Sequence, residues 1–125
     1  MSRAALRAAR GALKRNQTNM ATPPTTTEKT NRNGFKLSDY HGLPSTLCKG
    51  CGHDNITRNI IQAYYELGVT PSNVVKTSGI GCSSKTPAYF IHRGYGLNAV
   101  HGRMPSLGLG AKLANHRLEI IGVSG

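Results

Sequence analysis

The chain has 125 residues, 38% of them hydrophobic, with 16 Lys and Arg against 5 Asp and Glu for a formal net charge of +11. That length allows at most one domain, and no apolar run approaches the roughly 20 residues of a membrane helix. Three cysteines, two of them spaced C-x-x-C, suit metal or redox chemistry in a reducing compartment better than a disulfide scaffold. The charge is uneven: residues 1–36 hold eight Lys/Arg and one acid, whereas residues 37–125 hold eight and four. A basic excess can attract nucleic acid or anionic surfaces, but here most of it lies in a tail.

Residues 1–19 are rich in Arg and Ala and contain no acid. They resemble an organelle transit peptide, with a solvated basic extension, or a true start at Met20, as the plainer readings. Residues 21–34 are polar and Pro/Thr-rich, a composition that cannot bury enough apolar surface to order itself. Residues 1–36 are therefore expected to form a disordered extension, and residues 37–125 the folding part.

Asp54 to Leu67 is predicted to be a helix. Ile56, Ile60, Ala63, Tyr64 and Leu67 repeat at helical spacing with Ile61 widening the stripe, Asp54 can cap its start and Gly68 can stop it. Pro71 to Asn73 reads as a turn, and Val74 to Thr77 as a short strand of mostly β-branched residues. The loop Ser78–Ser84 follows, then a short helix through Pro87–His92. Asn98–Val100 reads as a second strand. Met104–Asn115 reads as a helix in which Gly108 and Gly110 permit close packing at some cost in helix stability. Leu118–Val123 reads as a strand apolar enough to be buried on both faces. Strands alternating with helices predict an α/β fold with a parallel sheet. In such sheets ligands bind beyond the carboxyl ends of the strands. The loops after Thr77, Val100 and Val123 would share that edge.

Two loops carry the chemistry. In Cys48-Lys-Gly-Cys51-Gly-His, two thiols stand close enough to grip one metal ion or cluster. Gly50 and Gly52 let backbone N–H groups aim at the sulfurs. In Gly79-Ile-Gly-Cys82-Ser-Ser-Lys85 a third thiol sits on a strand-to-helix loop of small residues. Such a loop can also cradle a phosphate, with Lys85 adding a cation. Three thiols are one short of the usual four-ligand cluster or structural zinc site. The run Leu118–Gly125 ends as its loop begins, so the chain reads as a piece of a larger subunit. Taken singly, Cys82 reads as a buried small hydrophobe, Lys85 as a surface lysine, and His101 with Arg103 as loop residues or an anion site. His53 is the best placed of the remaining histidines; His92 and His116 read as structural or exposed.

Taken together, Cys48-Lys-Gly-Cys-Gly-His-Asp54, Ser78-Gly-Ile-Gly-Cys-Ser-Ser-Lys85, Asn98-Ala-Val-His-Gly-Arg-Met-Pro105, Gly110–Asn115 and the final Ile-Gly-Val-Ser-Gly125 resemble the β subunit of 2-oxoacid:ferredoxin oxidoreductases, the thiamine-diphosphate-binding subunit. The resemblance covers about residues 40–125, with the motifs in the right order, and implies the N-terminal part of a thiamine-diphosphate-binding domain. It also implies oxidative decarboxylation of a 2-oxoacid, 2-oxoglutarate or pyruvate, to an acyl-coenzyme A, with electrons leaving through a 4Fe–4S cluster to ferredoxin.

On that resemblance Cys48, Cys51 and Cys82 would hold the cluster, with a fourth cysteine beyond residue 125. Ile80, Gly81, Cys82, Ser83 and His101 would contact thiamine diphosphate, and Gly125 would open the motif whose aspartate binds Mg²⁺. Lys85 would sit by the substrate carboxylate. Lys49 departs from the proline many members have. An α subunit would complete a shared site in a heterodimer or heterotetramer, in the cytoplasm, with no nucleic acid or membrane partner; alone, the piece is expected to be inactive. The alternatives are a zinc-binding module using Cys48, Cys51, Cys82 and His92 or His101, and a basic nucleic-acid-binding domain, which has charge but no aromatic stacking platform.

Overall fold

The computed structural model describes residues 29–125. The basic segment 1–19 and most of the Pro/Thr-rich stretch lie outside the described residues. Two α-helices, α1 (Gly52–Leu67) and α2 (Met104–Ala114), flank a sheet of β1 (Val74–Ser78), β2 (Tyr95–Asn98) and β3 (Glu119–Val123), with short 3₁₀ turns at Leu37–Tyr40, Pro71–Asn73 and Cys82–Ala88. The sheet is wholly parallel in the order β2-β1-β3, as the alternation of strands and helices predicts.

The pleat sets the layers. Val74, Lys76 and Ser78 share one face of β1 with Ile121 and Val123, their register neighbours being Ile121 beside Lys76 and Val123 beside Ser78. That face meets α1 in a core of Tyr40, Ile61, Val74, Phe90, Ile91 and Val123. Val75, Thr77, Ile120 and Gly122 face the other way, towards α2. Gly108 lets α2 come down on the sheet: a Cβ there would stand 3.3 Å from Ile120 and 3.7 Å from Thr77. Gly110 meets nothing within 4 Å, so only the first of the two expected close approaches exists.

α1 ends as its sequence requires. Gly68 takes the left-handed conformation at φ 67°, and the N–H of Val69 reaches back to the Tyr64 carbonyl. The start differs from expectation. Cys51, not Asp54, is the N-cap. Asp54 instead lies in the first turn and accepts a 2.6 Å hydrogen bond from the Ser45 hydroxyl. The buried stripe is also rotated: Thr57 and Ile61 are buried, whereas Ile56 and Leu67 are exposed.

Three other expectations are corrected. No helix covers 87–92; the 3₁₀ turn ends at Ala88 and the chain then pairs antiparallel with 40–43, through Gly42 N–H to Tyr89 O (3.1 Å), Leu43 N–H to Ala88 O (2.8 Å) and Ile91 N–H to Tyr40 O (2.8 Å). The second strand is Tyr95–Asn98, placed by pairing Tyr95 with Val75 rather than by its own apolar content. β3 is not buried on both faces, because it lies at the sheet edge, and Glu119 and Gly122 are exposed. Packed chain also reaches back into the expected extension. Thr30 bridges to Lys36, and the Asn31 amide donates to the Tyr40 hydroxyl (2.9 Å) and the Tyr65 carbonyl (3.0 Å). Tyr40 in turn donates to Val69 O at 2.7 Å.

One buried charge organises this frame. Lys76, on the central strand, is 3% exposed. Its Nζ donates to the carbonyls of Pro87, Phe90 and Ile91 at 2.8, 2.9 and 2.8 Å. An ammonium has three protons, and each finds an acceptor. Nζ also lies 5.6 Å from the Phe90 ring centroid. These bonds hold Ile91 in a left-handed conformation (φ 44°) that a β-branched residue rarely adopts.

Burial brings the Lys76 pKa down from 10.5 to about 8. Between those values the unfolded chain carries a proton that the folded chain has released, so folding stability gains from rising pH. Lys76→Met removes the donor from three buried carbonyls and should cost about 2–3 kcal/mol, read as a lower urea midpoint near pH 7. Across pH 8 to 10.5 the wild-type advantage over Lys76→Met should widen. A constant difference would show that the ammonium is not desolvated.

Candidate functional site at the carboxyl edge of the sheet

The loops after β1, β2 and β3 enclose a concavity of about 240 Å³, lined by Gly79, Ile80, His101, Gly102, Ser124 and Gly125 together with the start of α2 at Met104. This is the edge at which the parallel topology places ligands. The first turn of α2 contains no acid, so the unpaired N–H groups of its N-terminus meet no negative side chain on their own helix.

Gly81 makes the first loop possible. Its φ 93°, ψ −153° is open essentially to glycine alone, and its Cβ position lies 3.4 Å from the Gly125 carbonyl. The next residues turn into the 3₁₀ segment with Ser84 N–H on Gly81 O at 3.0 Å. Ser83 is fully buried, and its hydroxyl lies 3.3 Å from both Ile80 O and Gly125 O. Cys82 stands exposed between Gly81 and Ser83. Beneath the loop, the Ser78 hydroxyl is buried without a hydrogen-bond partner.

The second loop is tied to the first through the same residue. Cys51 N–H closes a tight turn on Cys48 O at 2.9 Å. His53, in the first turn of α1, places Nδ1 3.5 Å from the Cys51 sulfur, while a Cβ on Gly125 would lie 3.0 Å from its Nε2. Gly125 is thus the meeting point of His53, Gly81 and Ser83. All three thiols are free; Cys48 and Cys82 are exposed and Cys51 is half-buried. Among the described residues no three of the His, Cys, Asp and Glu side chains gather around one point as ligands of a single ion. A zinc set with His92 or His101 is not assembled.

Ile80, Gly81, Ser83, His101 and Gly125 thus share one neighbourhood. Lys85 does not line the same concavity. It is exposed in an adjoining groove of about 480 Å³ with Thr46, Ser84, Tyr89, Gly96 and Asn98. Asn98 fixes that groove by donating to Ser84 O at 2.8 Å. Sequence reasoning passed over Ser78 and Lys76; a charged residue inside an otherwise apolar strand was the available cue.

No family model matches the chain. It is 45% identical over 74 residues to the 2-oxoacid:ferredoxin oxidoreductase subunit β of Saccharolobus solfataricus, a match covering 59% of this chain and 24% of that protein. The chain is related to the β subunits of 2-oxoacid:ferredoxin oxidoreductases. A further relative is the 2-oxoglutarate oxidoreductase subunit KorB of Mycobacterium tuberculosis, 41% identical over 78 residues, covering 62% of this chain and 20% of that one. The fold agrees. A solved 2-oxoglutarate:ferredoxin oxidoreductase from Magnetococcus marinus, with 2-oxoglutarate, coenzyme A and succinyl-CoA bound, superposes with a TM-score of 0.68 at 33% identity, over 78% of this chain and 32% of that one. The chain spans about a quarter of the length of the curated relatives it matches. Among the described residues no helix is long and apolar enough to cross a membrane.

Gly81→Ala should strain the loop by about 1–3 kcal/mol and lower the thermal midpoint. An unchanged midpoint would show that the loop does not need this backbone conformation.

Proposed function

We propose that the chain is part of the thiamine-diphosphate-binding β subunit of a 2-oxoacid:ferredoxin oxidoreductase, which converts a 2-oxoacid to its acyl-coenzyme A and passes the electrons to ferredoxin. The observation that carries this reading is the meeting of both cysteine loops at Gly125, on the ligand-binding edge of a parallel sheet. An α subunit completes the enzyme, and the 125 residues alone are inactive.

The residues present suit the groups this reading requires. Gly81 and Gly125 leave backbone exposed where a diphosphate would approach, the unpartnered Ser78 hydroxyl lies below, and the N-terminus of α2 and His101 stand at the rim. The magnesium ligands that would anchor the diphosphate lie outside this sequence. Three thiols on two loops match part of an iron–sulfur ligand set, which spreads its sulfurs around a cluster rather than around one ion. When bound, thiamine diphosphate supplies an electron sink for decarboxylation and the cluster a one-electron path outwards.

The chain's own contribution is placement. Cys48, Cys51 and Cys82 hold the iron, with a fourth thiolate from elsewhere. Ile80, Gly81 and Cys82 would form the wall against the thiamine, with the fully buried Ser83 bracing it from behind, and Cys82 would serve both groups. Lys85, in its groove, orients a substrate carboxylate. A dicarboxylic 2-oxoacid such as 2-oxoglutarate gains from that cation more than pyruvate does.

The assembled enzyme purified anaerobically should be brown, with broad absorption near about 400 nm. A colourless protein carrying zinc would sink the assignment. Cys82→Ala should lose iron and 2-oxoacid oxidation together; full activity in that variant would remove Cys82 from the ligand set. Lys85→Ile should raise KM for 2-oxoglutarate about tenfold or more, as expected on losing a charged hydrogen bond, and leave KM for pyruvate nearly unchanged. An equal rise for both substrates would contradict a contact with the distal carboxylate.

A further inference from the structure

We infer that His53 is a positioning residue that sets the potential of the iron–sulfur cluster by donating a hydrogen bond to the Cys51 thiolate while bracing on the loop after β3. This rests on the iron–sulfur reading above and goes beyond it, since no thiolate ligation is asked of His53. A metal-bound thiolate carries no proton, so the imidazole is the donor across the 3.5 Å between Nδ1 and the Cys51 sulfur. The opposite side of the ring lies beside Gly125. A Cβ placed there would meet Nε2 at 3.0 Å and Cε1 at 3.3 Å, so a larger residue would crowd the ring. The Gly125 carbonyl is itself 3.3 Å from the Ser83 hydroxyl. One ring therefore contacts the Cys51 sulfur directly and lies beside a backbone residue that is bonded to the second cysteine loop.

Two further features fit the role. His53 is in the first turn of a 16-residue helix whose N-cap is Cys51, so donor and sulfur are fixed to the same rigid element. Asp54 beside it is engaged with the Ser45 hydroxyl and does not compete for the imidazole. A hydrogen bond to a ligand thiolate stabilises the more negative, reduced cluster and raises its potential.

The test uses the assembled enzyme, with the cluster potential followed by electron paramagnetic resonance during a redox titration and iron counted in parallel. His53→Phe keeps a ring without a donor; its cluster should titrate at a lower potential than wild type with the iron content unchanged. His53→Gln retains an N–H donor and should recover part of the shift. Gly125→Ala crowds the ring without removing it and should move the potential the same way as His53→Phe. Loss of the cluster from His53→Phe but not from His53→Gln would also support the donor role. Equal potentials in wild type and all three variants would overturn it, as would loss of the cluster from both His53 variants. A wild-type enzyme without iron would instead overturn the underlying iron–sulfur reading, and is recognised before any variant is made.

Discussion

The three hydrogen bonds of the Lys76 ammonium are the constraint from which the site follows. They fasten the carbonyls of Pro87, Phe90 and Ile91 to the central strand. The fastened segment does two things at once. Upstream it continues from the 3₁₀ turn that begins at Cys82. Sideways it pairs with residues 40–43, and the Tyr89 hydroxyl holds Thr46 at 2.7 Å. Residues 40–46 lead straight into Cys48. A single buried cation thus sets the origin of both cysteine loops. A buried charge is costly to desolvate, and here the cost is offset only in part, by three carbonyl acceptors and an aromatic face.

From that origin the sheet does the rest. Parallel strands deliver all three following loops to one edge, and small residues at that edge keep side chains out of the space between them. Gly81 turns Cys82 away from the sheet while Ser83 is buried behind it; Gly125 admits the His53 ring. The positive N-terminus of α2 and the basic residues nearby favour anionic groups at this edge. The same edge leaves Ile80 and Val100 exposed at 54% and 69%, an apolar rim around polar loops of the kind that small-molecule sites present.

Much of this was legible in the residues. The first helix was legible from Asp54 to Leu67 through its apolar period and Gly68, and the first strand from Val74 to Thr77 through its β-branched residues. The loops were legible through glycine and cysteine, which are common there for reasons of space and chemistry. What local pattern could not supply was partnership. Residues 87–92 read as helix because nothing nearby in sequence reveals their pairing with 40–43. β3 read as doubly buried because its composition is that of an interior strand, while its place at the edge depends on strand order. Lys76 carries no local signal of its role because its acceptors lie 11 to 15 residues away in sequence. His53 was noticed for its position, but its reach to Gly125 depends on the end of β3 coming alongside α1.

The proposed function makes a spatial demand: Cys82 must come within a short reach of the Cys48–Cys51 turn. A short bis-alkylating thiol reagent, applied to the reduced 125-residue chain and followed by peptide mapping, measures it without any metal. The account predicts a covalent link joining Cys82 to Cys48 or Cys51. Links confined to Cys48 and Cys51, with Cys82 alkylated at one end only, would contradict it.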